Sequence, residues 1–176
     1  MEEKRKKELL SLARRSLEAS FEGPEAEVKE TEERYGAFVT LRKHGELRGC
    51  IGYMEPVDYL ERQIRTLVRE AAFEDPRFES LRWEETGELD IEISLLTPMK
   101  EIQSLDDFVP SRDGIMLTLY GRRAVFLPQV ADETGWGKEE MLSALSMKAG
   151  LPRNAWKNPE AEFSTFQAEV FSEGRP

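Results

Sequence analysis

Residues 88–96, ELDIEISLL, place Leu89, Ile91, Ile93 and Leu95 on one side of an extended chain and Asp90, Glu92 and Ser94 on the other. Successive side chains of a strand point to opposite faces, so this is a strand with one dry and one wet face. A slip of one residue would turn every apolar group to water, which fixes its register tightly. Strands wetted on one face belong to antiparallel sheets, because the crossover helices of a parallel sheet cover both faces.

The neighbouring segments fit that plan. YGAFVTL and LRGCIGY, residues 35–41 and 47–53, are two strands around KHGE, where Gly45 supplies the positive φ of a tight hairpin turn. GIMLTLY and RRAVFLP around Gly121 predict a second hairpin, closed by Pro128. KRKKELLSLARRSLEAS keeps Leu9, Leu12, Ala13 and Leu17 on one helical face. After Pro56, VDYLERQIRTLVREAA repeats Leu60, Ile64, Leu67, Val68, Ala71 and Ala72 at helical intervals; Asp58 suits the positive end of the dipole, and Pro76 ends the helix. GKEEMLSALSMKAGLP writes its stop as Gly150 and then Pro152. FSTFQAEVF, residues 163–171, alternates throughout and reads as one closing strand. The Glu-rich stretch from Phe21 to Glu33 reads as a solvated connection. This order of hairpin, helix, strand, hairpin, helix and strand predicts an α+β fold, with a mainly antiparallel sheet flanked by helices.

The 176 residues fit a single domain. No run of about 18 apolar residues is present and the charged start does not resemble a leader, so the expectation is a soluble, cytoplasmic protein. With one cysteine and one histidine in the chain, a disulfide framework and a cysteine zinc site have no raw material, and multi-histidine metal sites and histidine-based triads are nearly excluded. Dinucleotide and P-loop fingerprints are missing, and no cofactor is indicated. The net charge of -10 argues against nucleic acid as a partner, since phosphate binding needs a positive footprint. A charged fraction of 34% with two asparagines leans towards a thermophile's ion-paired surface.

Cys50, the one cysteine, is the candidate catalytic residue, as a nucleophile or substrate-contacting thiol. On a regular strand Arg48, Cys50 and Gly52 share a face, and a nearby cation makes a thiolate more available. Gly49 and Gly52 allow backbone or ligand to approach closely. Against this, free cysteine is among the most buried residue types, which makes Cys50 equally readable as a packing residue. His44, in the turn, is a general base by type but sits far along the strand from Cys50. Asp75 and Arg77 flank Pro76: Arg77 suits a carboxylate or phosphate, or the two form an ion pair at a helix end. Arg112, in SRDG, has the same two readings.

LRGCIGY, AAFEDPRF, IEISLL, RDGI, RRAVFLPQV, KAGLPRNAW and FQAEVF follow in an order that resembles the AMME chromosomal-region protein family, which includes AmmeMemoRadiSam system protein A. The resemblance runs from Tyr35 to Phe171, with small departures at Met54, where proline is common, and at Glu70. It implies a larger subdomain built from both chain ends and a smaller one from the middle, with LRGCIG near the cleft between them. It implies as partners a Memo-like protein and a radical SAM enzyme, but no reaction. Three functions follow as expectations: an enzyme or enzyme component using Cys50, a non-catalytic binding or adaptor module with a ligand cleft at LRGCIG, and, weakest, a nucleic-acid binder.

Overall fold

In the computed structural model, which describes residues 1–25 and 27–175, the predicted strand over 89–95 is β3, Leu89–Leu96. It pairs antiparallel with β1, Gly36–Lys43, which pairs antiparallel with β2, Glu46–Tyr53. With β8, Ala168–Ser172, the sheet order is β2-β1-β3-β8. Helices α1, Glu3–Ala19, and α2, Leu60–Phe73, bury Leu9, Ala13, Leu17, Ile64, Leu67 and Val68 against Val39, Leu41, Ile91 and Ile93. The chain forms two compact units, one from residues 1–96 with the segment from Glu169, the other Thr97–Ala168. The larger is thus built from both ends and the smaller from the middle.

The second unit has its own antiparallel sheet, order β4-β7-β5-β6, from Lys100–Ile102, Glu162–Phe166, Gly114–Leu119 and Arg122–Phe126. Helix α3, Val130–Thr134, is a single turn, and α4, Lys138–Lys148, packs Met141, Leu142 and Leu145 with Ile115, Leu117 and Phe163. Both hairpins turn on two residues with positive φ, His44 and Gly45 in one, Tyr120 and Gly121 in the other, the pattern whose twist matches paired strands. No helix among the described residues is long and apolar enough to cross a membrane.

Three expectations need correction. The single closing strand is two: β7 and β8 belong to different sheets, and the break falls at Gln167. There Gln167 donates its N–H to Thr97 Oγ1 at 2.7 Å while Thr97 N–H bonds the Gln167 carbonyl at 2.8 Å. The predicted wet face of β3 is only partly wet: Ser94 is buried beside its cross-strand neighbour Phe38. The connection after α1 is not merely solvated, because its glutamates pair with α2: Glu30 with Arg62 and Glu25 with Arg65 and Arg69. Ala26, within that connection, lies outside the described residues.

Gly49 is where α2 meets β2. A Cβ there would stand 2.1 Å from the Ala71 carbonyl oxygen, and backbone cannot step aside as a side chain can. Gly49→Ala is expected to cost about 3 kcal/mol, as overpacking of a tight core does. Denaturant unfolding measures this; an unchanged midpoint would mean that the helix can shift freely.

Candidate functional site

In β2 the sequence LRGCIG does not run as a regular strand. Lys43 pairs with Glu46 and Arg42 with Leu47, but Leu41 pairs with Gly49, which leaves Arg48 as an extra residue, a β-bulge. Residues paired across strands share a face. Without the bulge Cys50 would stand opposite Val39, which points into the core under the helices. With it, Cys50 stands opposite Thr40, on the other face. Gly49, paired with Leu41, passes beneath α2 instead.

The expected neighbourhood of Arg48 and Cys50 is accordingly replaced by another. Arg48 donates through Nε and Nη2 to the Glu85 carboxylate at 3.1 and 3.2 Å and through Nη2 to the Glu79 carbonyl at 2.8 Å. Its Nη1 is buried with no hydrogen-bond partner among the described residues. Burial would raise the Glu85 carboxyl, but Arg48, the Arg82 N–H and Lys43 outweigh it and hold it down at about 2.

The cation that reaches Cys50 comes from FEDPRF. β2 is an edge strand, and its outward N–H at Cys50 donates to Asp75 Oδ2 at 3.0 Å. Arg77 lies side-on to the same carboxylate, Nε to Oδ1 at 3.0 Å and Nη2 to Oδ2 at 2.7 Å, and Nη2 also reaches the Cys50 carbonyl at 3.4 Å. Asp and Arg side chains thus supply to one peptide the pairing that another strand would give. Asp75 is 2% exposed and Arg77 55%, so the carboxylate is an anchor and the guanidinium is presented to solvent. The Arg77 guanidinium holds the Asp75 carboxyl far below the usual range, helped by the Cys50 N–H. Two guanidinium groups lie near the Phe78 ring, Arg48 at 5.9 Å and Arg77 at 5.5 Å from its centroid.

Around the sulfur, Thr40 donates its hydroxyl to Cys50 Sγ at 3.2 Å. Burial pushes the thiol's pKa up; Thr40 and Arg77 pull it down and Asp75 and Glu92 push it up further, so the net shift is upward. The side chain is half-buried. At neutral pH the sulfur is therefore a protonated, hydrogen-bonded thiol, a weak nucleophile.

The structure brings together Cys50, Asp75 and Arg77, while Arg48 is turned to Glu85 and Glu79 and meets the group only through Phe78. Gly49 and Gly52 serve approach by protein: α2 lies over the first and the Phe38 ring over the second, 2.3 Å from where a Cβ would be. His44 stays at the turn, its Nε2 3.3 Å from Glu88. Arg112 lies in the second unit. Thr40 and Phe78 complete the cluster without having been singled out. Thr40 is legible only if the bulge is known, whereas Phe78 follows Arg77 directly and an aromatic beside an arginine is a readable stacking signal. Among the described residues, no three His, Cys, Asp or Glu side chains gather as a metal-holding group.

Fold and site together define a two-unit α+β protein with a cysteine-bearing edge strand clamped by an Asp–Arg pair. The chain belongs to the AMMECR1 family, whose profile matches residues 10–171. A Methanothermobacter thermautotrophicus protein is 44% identical over 148 residues, 80% of this chain and 77% of its own length. One from Aquifex aeolicus is 37% identical over 182 residues, 97% of this chain and 93% of its own. The crystal structure of the uncharacterized protein PH0010 from Pyrococcus horikoshii matches with a TM-score of 0.82 at 34% identity, over 96% of this chain and 91% of that one.

Two outcomes follow from this geometry. Alkylation of Cys50 in the folded protein should be slower than in the unfolded chain, with an apparent pKa above the free value of about 8.5. Since folding raises this pKa, the associated stability is complete below the unfolded value of about 8.5 and declines as pH climbs through it. Rapid labelling at neutral pH would refute the assignment. For Asp75 the sign reverses: its lowered pKa stabilises the fold above the unfolded value of about 3.9 and that stability fades as pH falls below it. Asp75→Asn should cost about 2 kcal/mol at neutral pH and flatten the acid limb of a stability-against-pH curve; an unaltered acid limb would count against the clamp.

Proposed function

We propose that this chain is a recognition module working with a Memo-like protein and a radical SAM enzyme, and that the LRGCIG strand with the Asp75–Arg77 clamp is its contact surface. The observation that carries the reading is the state of Cys50. Its peptide is held at both N–H and C=O by the clamp, and its thiol is raised in pKa and capped by Thr40. A nucleophile needs a base or a lowered pKa. Here a hydroxyl and a guanidinium already paired with Asp75 are what surround it, while the edge of Arg77 that Asp75 does not use is presented in a fixed orientation, as suits an acidic group on a partner. The partners themselves follow from the family resemblance.

A second reading, an enzyme component with Cys50 as nucleophile, draws on the half-exposure of the thiol and on the positive charge of Arg77 beside it. Nucleic-acid binding remains the weakest, given the net charge of -10.

The two leading readings separate in one experiment. A Memo-like protein and a radical SAM enzyme are titrated against wild type, Cys50→Ser and Arg77→Ala, and product formation by the combined system is followed. As a recognition module, Cys50→Ser keeps both binding and product, while Arg77→Ala weakens binding at least about tenfold, the effect of losing a charged contact with a partner. Loss of product with intact binding in Cys50→Ser would establish the enzyme reading instead. Failure of wild type to bind either protein would remove the proposal.

A further inference from the structure

The second unit carries a cavity of about 590 Å³ that the Cys50 cluster does not use, a size ordinary for a metabolite site. β4, the residues that follow it, the Arg112–Asp113 corner and the end of β7 line it.

RDG, residues 112–114, builds one wall. Asp113 is 3% exposed, and its carboxylate accepts from Val109 N–H at 2.9 Å, from Arg112 Nε and Nη2 at 2.9 and 2.8 Å, and from Gln167 Nε2 at 3.4 Å. Arg112, 56% exposed, is held in one orientation by that buried acceptor. Its Nη2 also reaches the Asp107 carbonyl at 3.3 Å, whereas Nη1 has no hydrogen-bond partner among the described residues. Gly114 lets the Phe166 ring lie across β5, since a Cβ there would stand 2.2 Å from the ring. Phe166, 3% exposed, lines the cavity together with Pro98 and Ile102, and these three give it its apolar part. One residue fixes a donor, one anchors it and one makes room for the ring.

Lys100 lines the same cavity, as do Glu101 and Asp107. Counted with the Arg112–Asp113 pair, the lining carries two cations, Lys100 and Arg112, and three carboxylates, Glu101, Asp107 and Asp113. A doubly charged phosphate meets more repulsion in such surroundings than a singly charged carboxylate, whose planar oxygens also match a guanidinium.

We propose that this cavity binds a small molecule through a carboxylate group, with Arg112 Nη1 as donor, Lys100 as the second positive charge and Pro98, Ile102 and Phe166 against the apolar part. This site is independent of the surface assigned to partner recognition.

The test is a titration of the isotopically labelled full chain with acetate and benzoate, followed by amide shifts, with acetamide, benzamide, inorganic phosphate and matched sodium chloride as controls. Saturable shifts over 97–103, 112–114 and 165–167 are expected for the carboxylates and not for the amides, with benzoate the tighter. Arg112→Gln should weaken binding at least about tenfold, as loss of a charged hydrogen bond does. Lys100→Ala, at an exposed strand position that leaves Asp113 untouched, should weaken it severalfold. Equal response to amides, tighter binding of phosphate, no saturable shift, shifts confined to 48–52 and 75–78, or full affinity in Lys100→Ala and Arg112→Gln alike would each overturn the proposal.

Discussion

Because residues paired across a hairpin share a face, the extra residue at Arg48 reverses the sidedness of everything after it in β2. Gly49 turns beneath α2, where only a residue without Cβ fits, and Cys50 turns away from the helices towards Thr40. The bulge sits on an edge strand, whose outward peptide groups need partners. Asp75, placed just past the end of α2, meets the N–H of Cys50, and Arg77 meets both that carboxylate and the Cys50 carbonyl. Strand irregularity, helix termination and thiol environment are therefore one linked arrangement.

The same device occurs in both units. In each, an aspartate of 2% or 3% exposure holds an arginine of 55% or 56% exposure through Nε and Nη2. Side-on pairing satisfies the buried charge while leaving the far edge of the guanidinium open. A long, flexible side chain thus loses its rotamer freedom at folding and not at binding, which favours any anion that meets it later.

Much of this was legible from the residues. Period-2 alternation located β3, helical spacing located α1 and α2, and the Gly150 and Pro152 stop marked α4. LRGCIG and FEDPRF stood out as chemistry-bearing segments, yet their meeting was not readable: Cys50 and Asp75 are 25 residues apart and joined through an edge N–H, which has no side-chain signature. The bulge was invisible for a similar reason, since Arg48 is as acceptable in a regular strand as in a bulge. The switch from β7 to β8 was hidden by an alternation that continues unbroken across Gln167. Arg14 is buried, donating to Glu173 and to the carbonyls of Thr86 and Leu89, a role that its place between Ala13 and Arg15 does not signal.

That switch at Gln167 also bears on the order of assembly. Thr97 and Gln167, near the two ends of the middle unit, are held together by reciprocal hydrogen bonds, so the middle unit is a closed loop of continuous chain. During synthesis it has all its residues once Ala168 has emerged. The first unit, though its residues appear earlier, must wait for β8 and for Glu173, which bonds both Arg14 and the Ile91 N–H. The segment made second is thus the first able to finish folding, and the nascent chain carries an incomplete sheet edge at β3 until residues 168–173 arrive.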